Sequence, residues 1–325
     1  NALTGGQALP IASPPFPAKA DPFARVAYSN RSTEQDIKEK GISAEVNWEM
    51  PWLGGATLTS ITADRDWQAI NGLDYDFSTA DMLYRNANED ESLSRFDTFS
   101  QEFRLTGATD SVDWMVGMFY SDEDLTRNET YRIGRHYEPY LSINLLGLIN
   151  PALASHPAAA TFLADATGKP YGTAFAGLGA HDRYKQNAKS LAFFTKNKKN
   201  TTYKLKNTLG LRYTNEEKDL QDSYTNQNGS PGCASYFGAT GVSPAAIGRI
   251  AAALTARGVP FAALPAQQQM AIVNNVVGYS CLPWANVLHN GRNVNQSLEE
   301  KEWSGTLKAA YRWNENWMTY ASAAR

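Results

Sequence analysis

Residues 42–67 constrain the fold more than any other part of this chain. Ile42, Ala44, Val46 and Trp48 alternate with Ser43, Glu45, Asn47 and Glu49; a tiny turn at 51–55 reverses the chain, and a second strand-like run occupies 56–67. Period-two alternation marks a strand with one apolar and one wet face. The unit recurs three more times. Each time the turn is a few residues long, and the connection at the opposite end is tens of residues long. Short turns at one end and long loops at the other is the layout of an outer-membrane β-barrel.

The expected strands run over about 28–50, 56–72, 98–106, 114–132, 184–197, 203–214, 302–311 and 317–324. Residues 1–27, rich in Pro, Ala and Gly, read as irregular loop. Two insertions, about 135–185 and 221–290, interrupt the pattern. The second carries two expected helices, 244–257 and 265–277, each with Pro near its first turn, the former stopped by Gly258. Long loops lie outside the cell in this architecture. The first strand then begins outside and the last ends outside. The expectation is therefore an internal stretch of a larger, all-β transmembrane antiparallel barrel, about eight strands of it, with long extracellular loops containing short helices.

Composition agrees. Mean hydropathy is −0.44, and the most apolar stretch, 141–149, is far shorter than the ~20 residues of a spanning helix. A net charge of −3 argues against a nucleic-acid partner, and the basic run Lys196–Lys199 sits beside an expected turn. No phosphate loop, H-E-x-x-H motif or G-x-S-x-G elbow is present, so no enzyme, cofactor or resident metal is expected.

Glu102, Arg104, Arg212 and Lys308 fall deep inside the polar half of the pattern. An Arg or Lys facing lipid at the midplane costs ~2–4 kcal/mol, so these four are expected to face a wet lumen. Trp48, Trp52, Trp114, Trp303, Tyr311, Trp313 and Trp317 are expected to gather around the short turns as an aromatic girdle, with scattered core aromatics as the alternative. Cys233 and Cys281, alone in one loop, read as a disulfide, as two free thiols, or as a metal pair. The histidines His136, His156, His181 and His289 read as solvated loop residues or as zinc or iron ligands. Asp74, Asp76, Asp81 and Glu89–Glu91 read as a solvated loop or as calcium oxygens. The run Ser121–Asp124 is an ordinary wet rim or a lure for cations. The loop helices read as a ligand-gripping lid or as decoration.

Three segments carry a family resemblance: RFDTFSQEFRLTGATDSVDWMVGMFYSDED (95–124), SLAFFTKNKKNTTYKLKNTLGLRYTNEEKDL (190–220) and SGTLKAAYRWNENWMTYASAAR (304–325), with GATLTSITADRDW (55–67) fitting the same pattern. In this order they resemble the barrel of TonB-dependent outer-membrane receptors, in the style of sphingomonad-like alphaproteobacteria. The resemblance implies a 22-stranded barrel around an N-terminal plug, and active uptake of a scarce nutrient: a ferric siderophore, vitamin, oligosaccharide or similar small molecule. It implies energy from the TonB-ExbB-ExbD complex through an N-terminal box, contact with outer-membrane lipid and lipopolysaccharide, and a surface lipoprotein as a further candidate partner. Plug and box are expected to lie outside this chain. A passive porin and a soluble, secreted β-rich binding protein are the rival readings.

Overall fold

A computed structural model of the chain describes residue 23, residue 25, and residues 29–226, 236–281 and 290–325. Eight long strands form one antiparallel meander, each bonded to its neighbours in chain order. They are β1 (Gln35–Met50), β2 (Ala56–Asn71), β3 (Leu93–Ala108), β4 (Val112–Ile133), β5 (Gly179–Asn200), β6 (Leu205–Asn226), β7 (Arg292–Arg312) and β8 (Met318–Ala324). This is an all-β partial barrel wall, with β1 and β8 at its edges. Two short strands, Leu73–Asp74 and Leu83–Arg85, pair with each other, and the second continues onto the far end of β4.

Each short turn has a local cause. After β1, a single 3-10 turn (Pro51–Leu53) ends on Gly54 and Gly55, both left-handed at φ 66° and 76°, a conformation open to glycine at little cost. Between β7 and β8, the Asn314 side chain accepts from the backbone N–H groups of Asn316 and Trp317, both at 2.9 Å, closing a reversal of Asx type.

The first six strands are 16–22 residues long, beyond the ~9–11 that cross a bilayer. They also run further than the sequence pattern indicates. β5 starts at Gly179, and β6 continues to Asn226, inside the region expected to be the second insertion. Both ends carry mixed polar residues whose alternation is invisible to a hydropathy scan, yet the ladder between β5 and β6 stays intact up to Ala180 and Asn226.

The insertions fold together. Helices α1 (Tyr137–Ile149) and α2 (Phe162–Thr167) come from the first, and α3 (Pro244–Thr255) and α4 (Ala266–Ser280) from the second. Leu145, Phe162, Leu163, Ile250, Leu254 and Val273 belong to one buried cluster. The Ser243 hydroxyl caps α3 by accepting from Ala246 N–H, and Gly258 stops the segment at φ 83°. Arg257, with only 1% of its side chain exposed, clamps the two insertions. Its guanidinium donates to the carbonyls of Ala253 (2.6 Å) and Ala158 (2.9 Å), to the Thr161 hydroxyl (2.9 Å) and to Asp165 (2.7 Å). Cys281 is disulfide-bonded; its expected partner, Cys233, lies outside the described residues.

Two outcomes follow. Arg257→Ala should leave buried carbonyls without donors, at about 1–3 kcal/mol; limited proteolysis should then cleave the helical lobe selectively while the strands stay resistant. Gly117 on β4 lies under the Phe194 ring, so a Cβ there would meet ring carbons closer than contact distance. Gly117→Val should destabilise the wall by about 1–3 kcal/mol, with Phe194→Ala restoring part of the loss in a double-mutant cycle on thermal unfolding.

Candidate functional site

Register sorts every strand residue onto one of two faces. Val46, Ser60, Phe103, Met118, Phe193, Tyr213 and Trp303 stand in one cross-strand row. The residues two positions along each strand share their face. This face is apolar and exposed: Trp48, Phe103, Val116, Phe193, Leu211 and Leu307 are among the large side chains open to solvent. The opposite face carries Glu102 and Arg104 on β3, Arg212 on β6 and Lys308 on β7. The structure thus brings all four expected lumen residues to the same side of the sheet.

On that charged face, Arg104 pairs with Glu102 at 2.6 Å. The Arg212 guanidinium lies 5.9 Å from the Phe119 and Phe194 ring centres and donates to the Thr214 hydroxyl. The Lys308 ammonium sits 4.6 Å above the Tyr320 ring. A groove of about 460 Å³ runs beside Phe194, Lys196, Gly210, Arg212 and Thr306.

The seven aromatics divide. Trp48, Trp114, Tyr311, Trp313 and Trp317 stand at or near the short turns, with Trp52 inside one. Tyr311 and Trp313 pack edge to face at 4.6 Å. Trp303 does not join them. It lies eight residues up β7 from Tyr311, about 26 Å along the strand, and packs 5.1 Å from Tyr213 on β6. Alternation fixes a residue's face but not its height, so proximity in sequence to a turn misplaces it. Phe99 and Tyr120, 6.4 Å apart, stand at a similar height on β3 and β4. The apolar face therefore carries two aromatic rows.

Above the upper row, the charged face changes character. β5 carries Asp182 and Tyr184, and β6 carries Asp222 and Tyr224; antiparallel pairing sets Asp182 opposite Tyr224 and Tyr184 opposite Asp222. Glu129 on β4 stands opposite Asp182. Glu129 is well supplied: Arg127 (2.8 Å), Arg85 (3.3 Å) and the Tyr131 hydroxyl (2.8 Å) all reach it. Asp182 has its carboxyl pushed up to about 6 by burial and by the Asp222 and Glu129 charges, against a hydrogen bond from Tyr184. Burial also pushes the Tyr224 hydroxyl up to about 12. Sequence reading passed over this group, although Asp-x-Tyr occurs in both strands and two-residue spacing puts both members on one face.

The remaining candidates that the structure describes have local hydrogen-bond partners. Asp81 accepts a forked pair of bonds from Arg31 (2.7 and 2.9 Å), and its backbone N–H donates to His136 Nδ1. Burial holds His136 and His181 below the ordinary imidazole range, and Arg183 donates to His181 Nε2. His156 Nδ1 accepts from Ala158 N–H. His289 lies outside the described residues. Asp74 accepts from Ser29 and Asn30, Asp76 from Ser78, and Glu91 from Arg132 and Asn86. The run Ser121–Asp124 splits across the sheet: Asp122 and Asp124 accept from Asn187 on the apolar side, and Glu123 accepts from Thr98 on the other.

No family model and no curated protein matches the chain. Among solved structures, the ferric yersiniabactin uptake receptor FyuA from Yersinia pestis aligns with a TM-score of 0.45 at 10% identity, over 89% of this chain and 27% of its own. The open form of the ferric-catecholate import receptor Fiu from E. coli K12 aligns with a TM-score of 0.38 at 10% identity, over 89% and 35%. The chain thus spans 27% and 35% of the lengths of these receptors.

Because Asp222 raises the Asp182 carboxyl, Asp222→Asn should lower its midpoint from about 6. Isotope-edited infrared titration reads this directly; an unmoved midpoint contradicts the coupling. A carboxyl raised on folding favours the folded state at low pH. This contribution is complete below the unfolded value of about 4 and is lost as pH rises through about 6.

Proposed function

We propose that this chain is the wall and outer lobe of an outer-membrane receptor that takes up a scarce small molecule with energy from TonB-ExbB-ExbD. One observation carries the membrane assignment. Between the aromatic rows the apolar face is free of charge on every strand, for example Trp303, Gly305, Leu307, Ala309 and Tyr311 on β7. Immediately above, charge begins at Lys40, Asp64, Asp97, Asp122, Lys189, Glu217 and Lys301. The Tyr311-to-Trp303 span, tilted by ~35–45°, covers about 20 Å, near the ~25 Å apolar band of such barrels. Charge inside the same span sits only on the opposite face, which then lines the lumen. In this reading Trp48, Trp114 and Tyr311 mark the periplasmic interface, and Tyr213 and Trp303 the outer one.

The helical lobe stands at the outer end and encloses ligand. Lipopolysaccharide surrounds the wall, and a surface lipoprotein is a candidate partner for the lobe. The chemistry is transport rather than catalysis.

Two experiments test the reading. Leu209→Arg, in mid-band on the apolar face, should cost about 2–4 kcal/mol in lipid, whereas its neighbour Thr208→Arg, on the charged face, should leave folding in vesicles nearly unchanged; equal effects contradict the face assignment. Spent-medium profiles of cells with and without the full-length gene should differ by a depleted compound only when TonB is present. Depletion persisting without TonB would instead make the protein a passive channel.

A further inference from the structure

The helical lobe is tied to the wall where three segments meet: residues 29–34, the loop 75–82 and the start of α1. Asp81 and His136 exchange two hydrogen bonds there. The Asp81 N–H donates to His136 Nδ1, and the His136 N–H donates to the Asp81 carbonyl, both at 2.8 Å. The Gly134 N–H donates to the Met82 carbonyl at 2.8 Å. A Cβ at Gly134 would fall inside contact distance of the Asp81 oxygens, so this approach requires glycine. The Asp81 carboxylate is itself occupied: Arg31 forks onto it at 2.7 and 2.9 Å, and the Arg135 N–H donates to it at 3.4 Å. Arg31 also lies 3.7 Å over the Tyr84 ring. His136, in the middle of the junction, is 6% exposed.

Because His136 Nδ1 accepts, the imidazole is neutral and carries its proton on Nε2. A second proton goes onto Nδ1 and sets one N–H against another, at Asp81. The surroundings do not welcome that charge. Arg135 precedes the ring, and Arg31 already neutralises the Asp81 carboxylate. The other carboxylates nearby are turned to their own partners: Asp76 to Ser78, Met82 and Leu83, Asp74 to Ser29 and Asn30, and Glu138 to Gly172 and Ala174. Tyr137, next on α1, packs against Phe175. We propose that this junction is an acid-sensitive hinge: a second proton on His136 breaks its bond with Asp81 and frees the root of the helical lobe from the loop 75–82. The lobe itself stays closed, because Ile133 keeps its backbone bonds to Gly177 and Leu178 and its place in the buried cluster. Burial, and then Arg135, holds the imidazole below its ordinary value against the pull of Asp81. The sign follows: the contact is complete above about 6.5 and is lost as pH falls through the lower, folded value. Glu138 has the opposite sign. Burial raises its carboxyl, so acid favours its folded setting and does not account for a loss. The hinge concerns how the lobe is held and does not depend on the uptake reading.

The test is amide hydrogen exchange, read by mass spectrometry on the full-length protein in detergent micelles and corrected for the intrinsic pH dependence of exchange. Heat-modifiable gel mobility confirms that each variant is folded. Between pH 7.5 and pH 5, peptides covering 80–82 and 134–136 should lose about tenfold of their protection, while α3, α4 and β4–β6 keep theirs. In His136→Asn the side-chain Oδ1 still accepts but takes no proton, so the loss should shrink to about threefold or less. Arg135→Gln, at an exposed side chain outside the Asp81–His136 pair, removes a neighbouring cation and should move the loss to higher pH. His181→Asn, which removes the other buried imidazole, should keep the wild-type pattern. Unchanged protection in wild type, an equal loss in His136→Asn, or a loss spread evenly over wall and lobe overturns the proposal. Should His136→Asn not fold, an unmoved midpoint in Arg135→Gln overturns it as well. No ligand and no TonB enter the measurement, so its outcome is separate from that of the uptake experiments.

Discussion

Everything in this structure hangs on an unbroken register. The ladders joining β1 to β7 run without a bulge, so one phase of alternation holds across seven strands. A slip of one residue in any ladder would carry a whole strand's side chains to the wrong face. On β6 such a slip would move Arg212 among Phe193 and Trp303 and send Leu211 to the charged side. The apolar and charged faces are each assembled from seven strands, so each hairpin raises the cost of misregistering the next. The turns reinforce this: Gly54 and Gly55 permit one tight reversal, and the Asn314 side chain fixes another. Backbone hydrogen bonds make the sheet; phase makes it a wall with two different sides.

The helical lobe obeys different physics. Its core is an ordinary buried apolar cluster, drawn from two stretches far apart in sequence. Buried polar groups hold its parts in place. The Glu138 carboxylate accepts from the backbone N–H groups of Gly172 (3.0 Å) and Ala174 (2.7 Å), pinning the end of the first insertion beneath α1, although burial raises its carboxyl. Arg257 does the equivalent between insertions. Neither group stabilises as an isolated ion pair would: Asp165, the carboxylate that Arg257 meets among the described residues, is half exposed, so the buried carbonyls matter more. Such contacts specify one arrangement of two long loops that hydrophobic packing alone would leave free to slide.

Much of this was legible in the sequence, and its limits are physical. Alternation at Trp114–Tyr120 or Leu205–Tyr213 reports face, because successive side chains must point to opposite sides. It therefore placed Glu102, Arg104, Arg212 and Lys308 together. Proline and glycine punctuation located α3 and α4 to within a few residues. Alternation carries no information on height, and so Trp303 was assigned to the wrong row. It also fades where both faces are wet, which hid the outer ends of β5 and β6 and the Asp-x-Tyr pair there. The joint core of the insertions was beyond reach, since α1 is apolar on nearly every side and its partners lie about a hundred residues away.

The charged face is not uniform along its length. Its outer end crosses Asp182 and Tyr184 on β5 with Asp222 and Tyr224 on β6, whereas Lys196 and Arg212 line a groove lower down. Asp222 and Arg212 are ten residues apart on one strand, about 33 Å. Between them on the same face stand Glu216 and Lys218, with Glu300 and Glu302 beside them on β7. The separation exceeds the ~8–10 Å screening length of physiological salt several-fold, so each charge is set by its near neighbours rather than by the far end of the strand. One phase of alternation therefore does two things at once: it gathers charge of both signs on one side of the sheet and keeps the other side free of charge between the aromatic rows.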